Sequence, residues 1–274
     1  MVRMEQEKML QEKAAAIRMA IVKMIGPNQV GHFGGSLSVT DILAVLYFHK
    51  MTYDATDPSL PGRDRLILSK AHAAPAQYAT LALAGFFPLQ ELQSLKKLGS
   101  RLQGHPDFRR LPGIEANTGS LGQGLSMGVG MALAKRLKKE AGRVYVILGD
   151  GELQEGQVWE AAMAAANYKL DRLTAIVDHN KLQATDAIAK RMQLGDLRSK
   201  WSSFGWEVIE ADGHDVHELC AALDKAESNS GCPSVMIAHT TKGKGISFME
   251  NVPKYHNGMM SQDQYEQALR ELQA

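Results

Sequence analysis

The feature that most constrains this chain is the regular alternation that begins at Val144. Four apolar runs short enough to be strands, "VYVILGD" (144–150), "LTAIVDHN" (173–180), "WEVIEADG" (206–213) and "SVMIAHT" (234–240), are interleaved with the helix-periodic stretches "EGQVWEAAMAAANYK" (155–169) and "VHELCAALDKAES" (216–228). Near-continuous apolar strands are buried on both sides, and parallel neighbours must be joined by crossovers that lay helices over the sheet faces. The expected fold class is therefore α/β: a three-layer, mostly parallel sheet with helices on both faces. No repeat, low-complexity tract or linker interrupts the pattern, so residues 1–274 read as a single domain.

The amino-terminal part fits the same scheme. Met9, Leu10, Ala14, Ile17, Ala20, Ile21 and Met24 fall on one helical face, and Gly26-Pro27 ends that helix. A glycine-rich turn follows in "VGHFGGSLSVTD". The spacing of Ser38 and Asp41 predicts a capping box opening an apolar helix, with His32 on the loop ahead of it. Arg65–Ser69 reads as a strand from whose carboxyl end Lys70-Ala71-His72 departs, and 73–84 as a helix. A long loop containing "GHPD" and "TGSLGQG" then feeds a helix rich in glycine and alanine, a composition suited to close packing.

Charge narrows the partner class. With 31 basic and 30 acidic residues the formal net charge is +1, which favours a small-molecule partner over nucleic acid or an anionic membrane. No apolar run approaches the ~20 residues that span a bilayer, and the first 25 residues are too charged for a secretory signal, so a cytoplasmic location is expected. Cys220 and Cys232 lack the spacing of a zinc site or a disulfide framework, and Cys220 reads as helix packing.

In an open parallel sheet, ligands gather beyond the carboxyl ends of the strands. Asp150, between Gly149 and Gly151, stands at such an end, and Asn180 closes the next strand 180 − 150 = 30 residues on. Two oxygen donors on neighbouring strand ends suit magnesium, which takes a few protein oxygens and completes its shell with phosphate, while the glycines let phosphate approach the backbone. The glycine-rich entry at Thr118–Gly124 offers N–H groups of a kind that bind phosphate. The plainer reading is that Asp150 caps the helix after it. His32, His72, His105 and His256 each lie in a glycine- or proline-bearing loop, as surface residues do; four of them together suggest proton transfer. His49, His179, His214, His217 and His239 carry no assignment.

Taken in order, "GHFGGSLS", "LSKAH", "GHPD", "TGSLGQG", "GDGELQEGQVWEAA", "DHNKLQ" and "KGKGISFMEN" followed by His256 resemble the thiamine-diphosphate-binding half of a transketolase over nearly the whole chain. The resemblance implies the thiamine-diphosphate-binding fold and a cofactor held through a divalent ion, magnesium or else calcium or manganese, on Asp150, Asn180 and the Leu182 carbonyl. It implies that Gly151 approaches the diphosphate, that His72, Gly119, Leu121 and His256 line the cofactor, and that His32, His105 and His256 face a sugar donor. Glu155 is similar to the family's acid that couples paired sites. Lys242 and Lys244 fall near the cofactor entrance or, equally, on a solvated loop. Phe33 and Ala71 stand where the family commonly has proline and glycine, and both are expected to disturb the loop backbone.

The resemblance further implies transfer of a two-carbon unit from a ketose, or its phosphate, to an aldose, or its phosphate. It also implies that the aminopyrimidine-activating glutamate and the sugar-phosphate arginines belong to a separate carboxy-terminal subunit, in a two-plus-two assembly. The competing classes are another thiamine-diphosphate enzyme, of the 1-deoxyxylulose-5-phosphate synthase or 2-oxo acid dehydrogenase kind, and a non-catalytic phosphate-binding module.

Overall fold

The computed structural model describes residues 2–273, so the outermost bounds of the expected 1–274 domain, Met1 and Ala274, lie outside the described residues. Its sheet contains β1 (Arg65–Leu68), β2 (Val144–Gly149), β3 (Leu173–His179), β4 (Glu207–Asp212) and β5 (Ser234–His239), ordered β1-β2-β3-β5-β4 with every pairing parallel. Side chains alternate across each strand, and both sides are apolar. Val144, Val146 and Leu148 enter one core layer with α5 (Gln123–Leu137), α6 (Gly156–Asn167) and α8 (Leu197–Ser203). Tyr145 and Ile147 enter the other with α1 (Val2–Ile25), α3 (Thr40–Val45), α4 (Ala74–Leu83) and α9 (Val216–Ser228). Each fully buried aliphatic side chain contributes roughly 1.5–3 kcal/mol, and a one-residue slip would exchange the layers, so the register is tightly held.

The stripe on α1 is buried at Leu10, Ala14, Ile17 and Ile21, and the helix stops at Gly26, whose φ of +73° suits glycine. Cys220, on α9, packs half-buried against the core. The expected capping box at Ser38 is not formed. A helical turn, α2 (Phe33–Ser38), has already begun at His32, and the N-cap of α3 is Val39, with no side-chain cap. Ser38 is buried and donates to the Asp178 carboxylate, while Asp41 is drawn to Arg18 and His214. Both cap candidates found stronger partners in tertiary contacts than in the local turn. Sequence periodicity also left out the short α7 (Ile188–Arg191), α8, and α10 (Gln262–Glu271), the last opened by a true capping box of Ser261 and Gln264.

Candidate active site

β1, β2, β3 and β5 end side by side, so whatever follows each strand converges. Register places Gly149 opposite Asp178, and Asp150 leaves β2 as Asn180 leaves β3. Over these ends lies a cavity of about 470 Å³ lined by Asp150, Gly151, Asn180, Leu182, Lys242 and His256, together with Lys70, His72 and Leu121. Asp150 is buried, its two oxygens accepting the N–H groups of Gly151 (2.8 Å) and Lys181 (2.5 Å). Burial, with the nearby Asp178 charge second, pushes its carboxyl up to about 7. Asp150 therefore does cap the turn that follows, and a divalent ion against it would favour its ionised form. Asn180 Oδ1 accepts from the Leu182 N–H at 3.2 Å.

The Leu182 carbonyl accepts the Lys242 ammonium at 2.7 Å, and the same ammonium reaches His256 Nδ1 at 2.9 Å. Lys242 is 2 % exposed, so the solvated-loop reading fails for it; burial, opposed by Asp150, brings its ammonium down to about 8. Lys244 is partly exposed, 3.8 Å from Glu250. One carboxylate, one amide oxygen and one carbonyl already facing a cation form an incomplete oxygen set, the kind that leaves positions on a hard divalent ion for phosphate and water. The residues present thus fit the metal-diphosphate group. Among the described residues no three His, Cys, Asp or Glu side chains gather into a metal cage, so any ion here must rely on amide and carbonyl oxygens.

Three of the four loop histidines form a cluster. The ring centroids of His72 and His256 are 4.9 Å apart, those of His32 and His72 5.3 Å, and those of His32 and His256 5.6 Å. Burial and neighbouring cations hold His32 down to about 4 and His256 to about 3, and hold His72 well below the usual imidazole range, so all three are uncharged at neutral pH. Since an ammonium can only donate, His256 Nδ1 is an acceptor and its ring proton sits on Nε2. His105 is exposed and packs beside Gly119, 3.4 Å from where a Cβ there would stand. His32, His105, Gly119 and Glu155 stand outside the cavity lining, His32 reaching it only through the rings of His72 and His256. Glu155 is exposed at the start of α6, its Cβ 2.8 Å from where a Cβ on Gly122 would fall.

The N–H groups of the "TGSLGQG" entry are less available than expected. Gly122 N donates to Glu152 Oε1 (2.8 Å) and Gly124 N to Ser69 Oγ (3.1 Å). Glu152, buried, also takes Gly149 N (3.0 Å) and the Ser69 hydroxyl, so one internal carboxyl group ties the N-cap of α5 to the ends of β1 and β2. Phe33 is fully buried in the core, and neither it nor Ala71 has a φ in the left-handed region.

Beneath the cavity lies a fully buried ion pair, Lys70 with Asp178, braced by the hydroxyls of Ser38 and Thr240. Although burial opposes ionisation, Lys70 and these donors hold Asp178 below the usual carboxylate range. Sequence reasoning missed Asp178, Lys70 and Glu152. The signal available was a charged residue interrupting or closing an apolar strand, in "IVDHN" and "ILSKAH".

Residues 9–273 match the family model described as transketolase, thiamine diphosphate binding domain. The chain belongs to the transketolase family. It is 45% identical over 269 residues to a 6-deoxy-6-sulfo-D-fructose transketolase subunit of a Clostridium species, covering 98% of each chain. It is 42% identical to an apulose-4-phosphate transketolase subunit of Phocaeicola vulgatus, covering 93% of this chain and 90% of the other. Against human transketolase it is 41% identical over 264 residues but spans only 42% of that protein. The transketolase structure of Campylobacter jejuni superposes with a TM-score of 0.91 at 31% identity, over 97% of this chain and 43% of that one. The transketolase-like α/β fold and the thiamine-diphosphate-binding assignment follow, and this chain corresponds to the cofactor-binding N-terminal portion of a transketolase. No described helix is long and apolar enough to cross a membrane.

Proposed function

We propose that this chain is the cofactor-holding subunit of a split, cytoplasmic transketolase, with residues 1–274 forming one thiamine-diphosphate-binding domain. The observation that carries the reading is the convergence of Asp150, Asn180 and the Leu182 carbonyl on one cavity at the carboxyl ends of β2 and β3. These three hold a magnesium ion, for which calcium or manganese could substitute. Gly151 meets the diphosphate, with His72, Gly119, Leu121 and His256 along the cofactor. Bound thiamine diphosphate supplies the carbanion chemistry that moves two carbons from a ketose to an aldose. The chain's own task is to orient that group and handle hydroxyl protons. His256, with its proton on Nε2, and uncharged His32 serve the donor hydroxyls, and His105 assists from the rim. Glu155 faces the assembly and couples paired sites.

The partner is a carboxy-terminal transketolase subunit in a two-plus-two assembly, which supplies the pyrimidine-activating acid and the phosphate-binding arginines. The names of the Clostridium and Phocaeicola subunits refer to ketoses that carry a sulfonate or a phosphate. The substrate class is accordingly a ketose with an anionic end group.

Calorimetry of the purified chain tests the cofactor assignment. Asp150→Ala should abolish magnesium-dependent thiamine diphosphate binding while circular dichroism stays unchanged, because the residue lies beyond the strand end. Binding with unaltered metal dependence would return Asp150 to a plain helix cap.

A further inference from the structure

Behind the loop that carries Lys242 runs a chain of polar contacts that none of these assignments uses. Arg18 on α1 forks onto the Asp41 carboxylate on α3, with Nη1 3.0 Å from Oδ1 and Nη2 on Oδ2. His214, in the turn after β4, reaches the same carboxylate, Nδ1 lying 2.7 Å from Oδ2. Its other ring nitrogen, Nε2, stands 2.8 Å from the backbone N of Thr241. A backbone N–H can only donate, so Nε2 is unprotonated and Nδ1 carries the proton that Asp41 receives. The turn itself is anchored, since Gly213 N donates to the His239 carbonyl at 2.8 Å and a Cβ on Gly213 would stand 3.1 Å from that oxygen.

What this relay grips is the short segment between β5 and the cavity. Thr240 sends its hydroxyl to Asp178, and Lys242 sends its ammonium to Leu182 and His256. Thr241 lies between them with its N–H in the histidine's hold. Free to drift, the segment would lose the position from which a buried ammonium can serve a metal-diphosphate group.

We propose that His214 is a positioning residue for cofactor loading: the Arg18–Asp41–His214 relay fixes Thr241, and it acts on the cofactor site through Lys242. This role rests on the thiamine diphosphate site proposed for the cavity. A double-mutant cycle separates it from a merely structural one. Thiamine diphosphate affinity at saturating magnesium is measured by calorimetry for the parent chain, His214→Phe, Lys242→Met and the double variant. Losing an outer partner of a ligand site should weaken binding ~10-fold, and His214→Phe should add no further loss in the Lys242→Met background. Fully additive losses would overturn the proposal.

Hydrogen exchange on the cofactor-free chain gives an independent reading. In His214→Phe the Thr241 amide should lose protection while β2 and β3 keep theirs. Loss of protection across the sheet would mean a general fold defect and would equally overturn it. Should the parent chain show no magnesium-dependent binding at all, the functional reading itself fails and takes this inference with it.

Discussion

At the scale of single residues, the site is built from groups whose proton affinities burial has moved from their ordinary values. His32, His72 and His256 share one cluster with Lys242 beside it, so a proton placed on any ring meets other cations in a poorly solvated space. Folding therefore requires these rings neutral. Because the folded pKa of His32 lies near 4 and the unfolded value near 6.5, the unfolded chain binds the extra proton between those limits. Stability is fully present above pH 6.5 and is lost as pH falls toward 4. His32→Asn should flatten the melting-temperature profile of the cofactor-free chain across that window; an unchanged slope would show that His32 titrates normally. A second expectation concerns chemistry. In the assembled enzyme, His256→Ala should retain cofactor affinity while turnover falls ~10²–10⁴-fold, the range for losing one proton-transfer group. An unaltered turnover number would make His256 a bystander.

At the scale of elements, α5 sits against the sheet by way of its glycines. A Cβ on Gly128 would stand 2.5 Å from Val146 Cγ2, and one on Gly124 2.8 Å from the Ser69 Cα, whereas a Cβ on Gly130 would meet nothing within 4 Å. Alanine in place of glycine in a helix gains ~1 kcal/mol of propensity, but overpacking a tight interface costs ~1–3 kcal/mol. Gly130→Ala should thus raise the urea midpoint of the chain, and Gly128→Ala should lower it. Two stabilised variants would refute the close docking. The strands, the α1 stripe and α9 were legible because apolar periodicity and burial say the same thing there. The Asp150–Asn180 pairing was legible because one crossover separates adjacent parallel strands. Ser38, Asp178, Lys70 and Glu152 were not, because their partners are distant in sequence: Ser38 and Asp178 are 140 residues apart, and Lys70 and Asp178 are 108. Local rules assigned Ser38 to a cap and the glycine-rich entry to phosphate. Tertiary contacts took Ser38 and, of the entry, the N–H groups of Gly122 and Gly124.

At the scale of the whole molecule, the surface around the site looks outward. Leu121 at the cavity mouth is 37% exposed and Met163 on α6 is 57% exposed, close in sequence to the exposed Glu155, while Ala162 of the same helix is fully buried. Trp159 is half-buried and packs against the core, beside Trp201 and Phe204. α6 and its N-cap thus carry an exposed apolar residue and an exposed acid. Sedimentation should show larger particles when the partner chain is added, with Met163→Glu reducing that shift. The most direct test is the rate of two-carbon transfer from a ketose phosphate, with thiamine diphosphate and magnesium present, for the purified chain alone and after mixing with a carboxy-terminal transketolase subunit. The predicted result is no turnover from either chain alone and a rate of ~1–10³ s⁻¹ on mixing; transfer at such a rate by this polypeptide by itself would contradict the split-enzyme reading.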